Sequence, residues 1–181
     1  GWMARHAVAR LVLLSRSGSL APGAELKWAA ASVSGQQLHV ELCDISLESQ
    51  VHQCMRVRPS SVVHSAGVLA DALLLNQTQA GLQRVWAPKA KAAWHLHQAS
   101  QQHAAQDARQ LDVFVLFSSI AALLGGAGQA NYAAANACLD GLARQRRSEG
   151  LAGCSIQWGA WSGSGMAVDT GVIEQLEAQG M

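Results

Sequence analysis

The residues best suited to chemistry lie between Leu111 and Asn136. Ser118 and Ser119 follow a short apolar run at 113–117, and Tyr132 and Asn136 follow a glycine-rich turn at 125–128. Tyr132 and Asn136 are four positions apart, so they share one face of any helix that carries them. A phenol has an ordinary pKa of about 10 and holds its proton at neutral pH. An ammonium beside it favours proton transfer to a developing alkoxide, and a serine hydroxyl can hold the same oxygen by a hydrogen bond. Such a set suits reduction of a carbonyl. Spacing alone places no lysine beside Tyr132, because Asn136 occupies the position one helical turn on.

The elements that must position these groups follow from pattern. Residues 113–117 have the length and the branched or aromatic content of a buried strand, with the two serines at its end. Further strands are predicted at 11–14, 37–43, 61–64 and 155–158. Helices are predicted at 2–9, at 22–31, and from a Ser46 cap to about Arg56. Three more are predicted from Thr78 to about Gln102, from Tyr132 to about Arg147, and at 172–178. Pro88 falls inside the longest of them and should kink or divide it. Strands alternating with helices argue for an α/β fold with a parallel sheet, whose ligand crevice lies beyond the carboxyl ends of the strands.

Composition narrows the classes. At 181 residues the chain is one domain's worth, and half of it is apolar, which makes it globular. A net charge of +1 gives no electrostatic reason to expect nucleic acid or a membrane surface. No apolar run approaches the ~20 residues of a membrane span, and residues 1–6 lack the apolar core of a secretory signal. Cys43, Cys54, Cys138 and Cys154 form no Cys-x-x-Cys pair. They read as buried free thiols in a reducing, cytoplasmic compartment. His95, His97 and His103 do not share one helix face, so no metal is expected. Arg144, Arg146 and Arg147 read as complements to a helix dipole.

Several stretches together resemble the ketoreductase domain of modular, type I polyketide synthases and animal-type fatty acid synthases, within the short-chain dehydrogenase/reductase superfamily. They are Val12-Leu13-Leu14-Ser15-Arg16-Ser17-Gly18, Cys43-Asp44, Val63-His64-Ser65-Ala66-Gly67-Val68-Leu69 and Ala87-Pro88-Lys89. Phe114-Val115-Leu116-Phe117-Ser118-Ser119, Gly128-Gln129-Ala130-Asn131-Tyr132-Ala133-Ala134-Ala135-Asn136 and Trp158-Gly159-Ala160-Trp161 complete the set, in family order. The resemblance implies a Rossmann-like, doubly wound parallel sheet lacking its first strand and its Gly-rich loop. It implies that residues 1–181 are one partial ketoreductase domain, with a substrate-side lid from about residue 162.

It also implies roles. Tyr132 is the general acid, and Ser119, thirteen positions earlier, binds the carbonyl oxygen. Lys89, rather than the solvated Lys91, lowers the phenol's pKa, and Asn136 completes the tetrad. Arg16 faces the 2′-phosphate of NADPH, Asp44 the adenine, and Ser65, Ala66 and Gly67 the ribose and its surroundings. Leu69 and Asp71 lie on the substrate side within Leu69-Ala70-Asp71, close to a Leu-Asp-Asp signature. Trp158 and Trp161 line the substrate entrance. Leu124 stands eight residues before Tyr132, where relatives of the opposite stereochemistry carry tryptophan, which leans toward a D-configured hydroxyl. About six residues within 101–107 read as an insertion that bulges from the loop before 113.

The implied activity is NADPH-dependent reduction of a β-ketoacyl thioester to a β-hydroxyacyl thioester. The substrate rides on the phosphopantetheine arm of an acyl carrier domain, among other synthase domains. Two alternatives are a non-catalytic or fragmentary reductase-like scaffold and a stand-alone short-chain reductase of free carbonyl compounds. The pyrophosphate-cradling glycine fingerprint is not found in these residues. The isolated 181 residues should therefore bind NADPH poorly; calorimetry showing low-micromolar binding would refute this.

Overall fold

A computed structural model describes residues 10–20, 23–32, 37–107 and 109–160. The predicted helices at 2–9 and 172–178, the lid from 162, and Trp161 lie outside the described residues. The strands are β1 (Arg10–Ser15), β2 (Gln37–Leu42), β3 (Ser61–His64), β4 (Val113–Ser119) and β5 (Cys154–Trp158). The α-helices are α1 (Glu25–Ser32), α2 (Glu48–Met55), α3 (Gln79–Trp86), α4 (Ala92–Asp107), α5 (Ala121–Leu124) and α6 (Ala130–Ser148). A 3₁₀ turn, Leu74–Asn76, precedes α3, and a π-helical turn, Ala87–Lys91, joins α3 to α4.

Every strand pairing is parallel, which fits the helical crossovers between successive strands. β1 pairs with β2, and β3, β4 and β5 form a second sheet in that order, with no ladder hydrogen bond joining the two among the described residues. Side chains alternate along β4, and Phe114, Leu116 and Ser118 point inward. Phe114 and Leu116 meet Val62 of β3, Val51 and Met55 of α2, Leu96 of α4 and Leu139 of α6, which together form the main core. The opposite face is less covered: Val63 and Val113 remain exposed.

Local chemistry explains where elements begin. Thr78 caps α3, its hydroxyl accepting from the Gly81 N–H, as its side chain predicts. Ser46 does not cap α2. Its N–H and its hydroxyl both donate to the Asp44 carboxylate in an Asx turn, and Leu47 takes the cap position. Pro88 lacks the N–H that an α-helix interior needs, and the chain absorbs it by widening into the π turn without breaking. Residues 101–107 continue α4 rather than bulging from the loop. The 3₁₀ turn and α5 are too short to leave a period in the sequence, and α6 starts two residues ahead of Tyr132.

The core makes a direct prediction. Leu116→Ala, at a side chain with no exposure, should destabilise the chain by about 2–5 kcal/mol in urea unfolding. Leu75→Ala, at 98% exposure, should change stability by less than about 0.5 kcal/mol.

Candidate active site

Lys89 sits in the π turn and is 2% exposed. Its Nζ donates to the Phe117 carbonyl at 3.1 Å and lies 5.4 Å from the centroid of the Tyr132 ring. A cation at that distance from an aromatic ring is within reach of its π face. No carboxylate pairs with it among the described residues. Burial pushes its pKa down to about 8. Lys91 is exposed, so of the two candidates Lys89 is the one brought to the tyrosine. The backbone carbonyl of Lys89 meets Nε2 of His64 at 3.0 Å. A carbonyl only accepts, so Nε2 carries the imidazole proton. Burial, helped by the charge of Lys89, pushes the His64 pKa down to about 4.

Tyr132 and Asn136 lie one turn apart at the start of α6, as the spacing requires. The Tyr132 ring packs against Val85, Ala121 and Ala135, with Leu69 at the edge of the same cluster. Asn131 anchors this end of the helix. Its Oδ1 accepts from the Tyr132 N–H at 2.7 Å, and its Nδ2 donates to the Ala70 carbonyl at 2.7 Å. Asn136 is fully buried, and its Nδ2 donates to the Tyr132 carbonyl at 2.8 Å, while its Oδ1 has no hydrogen-bond partner among the described residues. Ser118 donates to the Asn136 carbonyl at 3.2 Å. Ser119 closes β4, and its Oγ accepts from the Ala121 N–H at 3.2 Å, which leaves its own proton able to donate elsewhere. Among the described residues no hydrogen bond joins the Ser119 and Tyr132 hydroxyls, or Lys89 to the Tyr132 hydroxyl.

The cofactor-side candidates each follow the end of a strand: Arg16 after β1, Asp44 after β2, and Ser65, Ala66 and Gly67 after β3. Arg16 is exposed. The Asp44 carboxyl is held below the usual range by its two bonds from Ser46, with the positive charge of Arg16 adding to the effect. On the substrate side, Leu69 borders the tyrosine cluster, and Asp71 accepts from Gln129 Nε2 at 3.0 Å. Trp158 ends β5, with its ring 5.3 Å from that of Phe117 at a 54° tilt.

Three residues went unread in the sequence or were misread. His64 and Asn131 act through backbone groups, which leave no spacing signature. Arg146 stands in the last turn of α6, as the dipole reading expects, but it also has a buried role that the sequence did not show. It is 2% exposed, stacks 3.9 Å from the centre of the Phe114 ring, and donates to the Ala152 carbonyl, His97 Nδ1 and Ser100. Its spacing from Leu139, Leu142 and Ala143 was the available clue, since all four share one helix face. The cysteines are all free, but Cys138 and Cys154 are exposed rather than buried. His95 and His97 are buried packing residues. Among the described residues no group of three His, Cys, Asp or Glu side chains could hold a metal, and no helix is long and apolar enough to cross a membrane.

A Rossmann-like α/β fold that carries a buried lysine against a helix-start tyrosine defines a reductase-type scaffold. The KR-domain family model matches residues 1–163, and the chain belongs to that family. It is 41% identical over 184 residues to polyketide synthase GfsB of Streptomyces halstedii, covering 97% of this chain and 3% of that protein. It is 43% identical over 166 residues to mycoketide-CoA synthase of Mycobacterium tuberculosis, covering 88% of this chain and 4% of that protein. Among solved structures, an A-type ketoreductase from a modular polyketide synthase superposes with a TM-score of 0.87 at 39% identity, covering 97% of this chain and 37% of that one. The first ketoreductase of the tylosin synthase superposes at 0.79 and 38% identity, covering 91% of this chain and 36% of that one. The chain thus spans a few per cent of the curated synthases and just over a third of the solved ketoreductases.

The buried histidine predicts acid sensitivity. Unfolded, His64 takes its proton near pH 6.5; folded, only near pH 4. Between those values the unfolded chain binds more protons, so this contribution is complete above about pH 6.5 and is lost as pH falls to 4. At about 1.4 kcal/mol per pH unit the loss is on the order of 3 kcal/mol. Urea unfolding across that window should show the decline, and His64→Gln, which cannot be protonated there, should flatten it.

Proposed function

We propose that these residues form the catalytic centre of an NADPH-dependent β-ketoacyl reductase within a polyketide synthase. Its substrate is a β-ketoacyl thioester on the phosphopantetheine arm of an acyl carrier domain. The observation that carries the reading is the buried ammonium of Lys89 held 5.4 Å from the Tyr132 ring by a different element. The chain's membership of the ketoreductase family supports it.

The residues present suit the cofactor. Arg16 offers an exposed guanidinium beyond β1, where a ribose 2′-phosphate would be read, and Asp44 stands in its field beyond β2. Ser65 to Gly67 supply a small-residue edge beyond β3 for the ribose. When bound, NADPH supplies the hydride that reduces the ketone carbon. Tyr132 then gives its phenolic proton to the oxygen that becomes the hydroxyl. Ser119 donates a hydrogen bond to that same oxygen and fixes its position. Lys89 stabilises the phenolate left behind. Asn136 presents a buried Oδ1 without a partner among the described residues, an acceptor suited to an ordered water between Lys89 and the tyrosine.

Testing this takes a longer piece of the protein, extended at both ends, and the fall in NADPH absorbance with a carrier-bound β-ketoacyl thioester. Tyr132→Phe should lower kcat by about 10²–10⁴-fold with the fold intact. Retention of more than about a tenth of the activity would contradict the assignment and favour a reductase-like scaffold. Faster turnover of a free ketone than of the carrier-bound thioester would favour a stand-alone carbonyl reductase.

A further inference from the structure

We propose that His64 is a positioning residue. Its neutral imidazole donates from Nε2 to the Lys89 carbonyl and so holds the π turn in the register that keeps the Lys89 ammonium on the Phe117 carbonyl and against Tyr132. The proposal rests on the reading that Lys89 and Tyr132 work together.

The π turn is the place where such a hold is needed. A π-helical turn carries an extra residue relative to an α turn and re-aims the side chains within it. Sliding back to α register would swing Lys89 away from its present direction. Pro88 removes one donor from this turn, so intrahelical hydrogen bonds alone secure it less well. His64 supplies a donor from outside the helix, across 25 positions of sequence. Both partners are almost fully buried, at 3% and 2% exposure, so water is not at hand to replace the bond.

Lys89 is therefore held at two ends by one sheet. His64 is the last residue of β3 and is paired with Leu116 of β4. Phe117, the next residue of β4, provides the carbonyl that takes the Lys89 ammonium. The ladder that fixes His64 also fixes Phe117. The lysine's main chain is tied to one strand and its side-chain nitrogen to the neighbouring one. A rigid ring at position 64 does this without adding a second cation. Among the described residues the charge of Lys89 helps to keep the imidazole neutral, and burial is what lowers the pKa of the Lys89 ammonium.

The chain has three lysines, Lys27, Lys89 and Lys91, so ε-carbon-labelled lysine gives three NMR signals, with Lys89 assigned by Lys89→Arg. In the unaltered chain the Lys89 signal should titrate near 8. In His64→Leu it should titrate at least about one pH unit higher, as the ammonium escapes toward water and the ordinary value near 10.4. His64→Gln keeps an amide donor of similar reach and should restore the lower midpoint. Nitrogen-15 spectra of the unaltered chain at neutral pH, which need no substitution, should show His64 with its proton on Nε2. A proton on Nδ1, or an unchanged Lys89 midpoint in a folded His64→Leu chain, would overturn the proposal. These readouts involve no turnover, so they stand apart from whether Tyr132→Phe abolishes reduction.

Discussion

One of the two cations buried among the described residues governs the candidate site. The Lys89 ammonium is buried with no carboxylate to pair it among the described residues. An isolated charge in that position is costly, and proteins offset the cost with hydrogen bonds and oriented dipoles or by lowering the charge. Here the Phe117 carbonyl and the face of Tyr132 share the first task, and a pKa lowered to about 8 reflects the second. Each neighbouring feature bears on that arrangement. The π turn aims the side chain, the β3–β4 ladder supplies both its anchors, and Asn131 pins the helix end that carries the ring.

The two sheets divide the work unevenly. Lys89, Tyr132, Asn136 and Ser119 all belong to, or pack on, the unit built around β3, β4 and β5. Arg16 and Asp44 follow β1 and β2, a pair with no ladder bond to the other strands among the described residues. The residues proposed for proton transfer therefore draw on one continuous sheet. The cofactor contacts proposed for Arg16 and Asp44 would draw on the smaller sheet.

Much of the frame was legible because it is local. A short apolar run rich in branched and aromatic residues marked β4, a threonine hydroxyl marked the start of α3, and a proline marked the interruption that became the π turn. The choice of Lys89 over Lys91 came from motif position, and burial agrees with it. What escaped the sequence was settled by distant partners. Ser46 lost its capping role to a carboxylate two residues back. Arg146, read as a complement to the helix dipole, is drawn inward by Phe114, His97 and two oxygen acceptors. His64 sat in plain view at a strand end, yet its target was a backbone carbonyl on another element. Residue type announces caps and breaks, whereas side chains that serve someone else's main chain become visible only with the fold.

The central claim is that the lysine and the tyrosine act as one unit, and a double-mutant cycle tests it most directly. In the extended protein, kcat would be measured for Lys89→Met, Tyr132→Phe and the two combined. Groups acting on one proton give strongly non-additive losses, so the combined variant should be little slower than the slower single one. Losses that simply multiply would show two independent residues and would contradict the account.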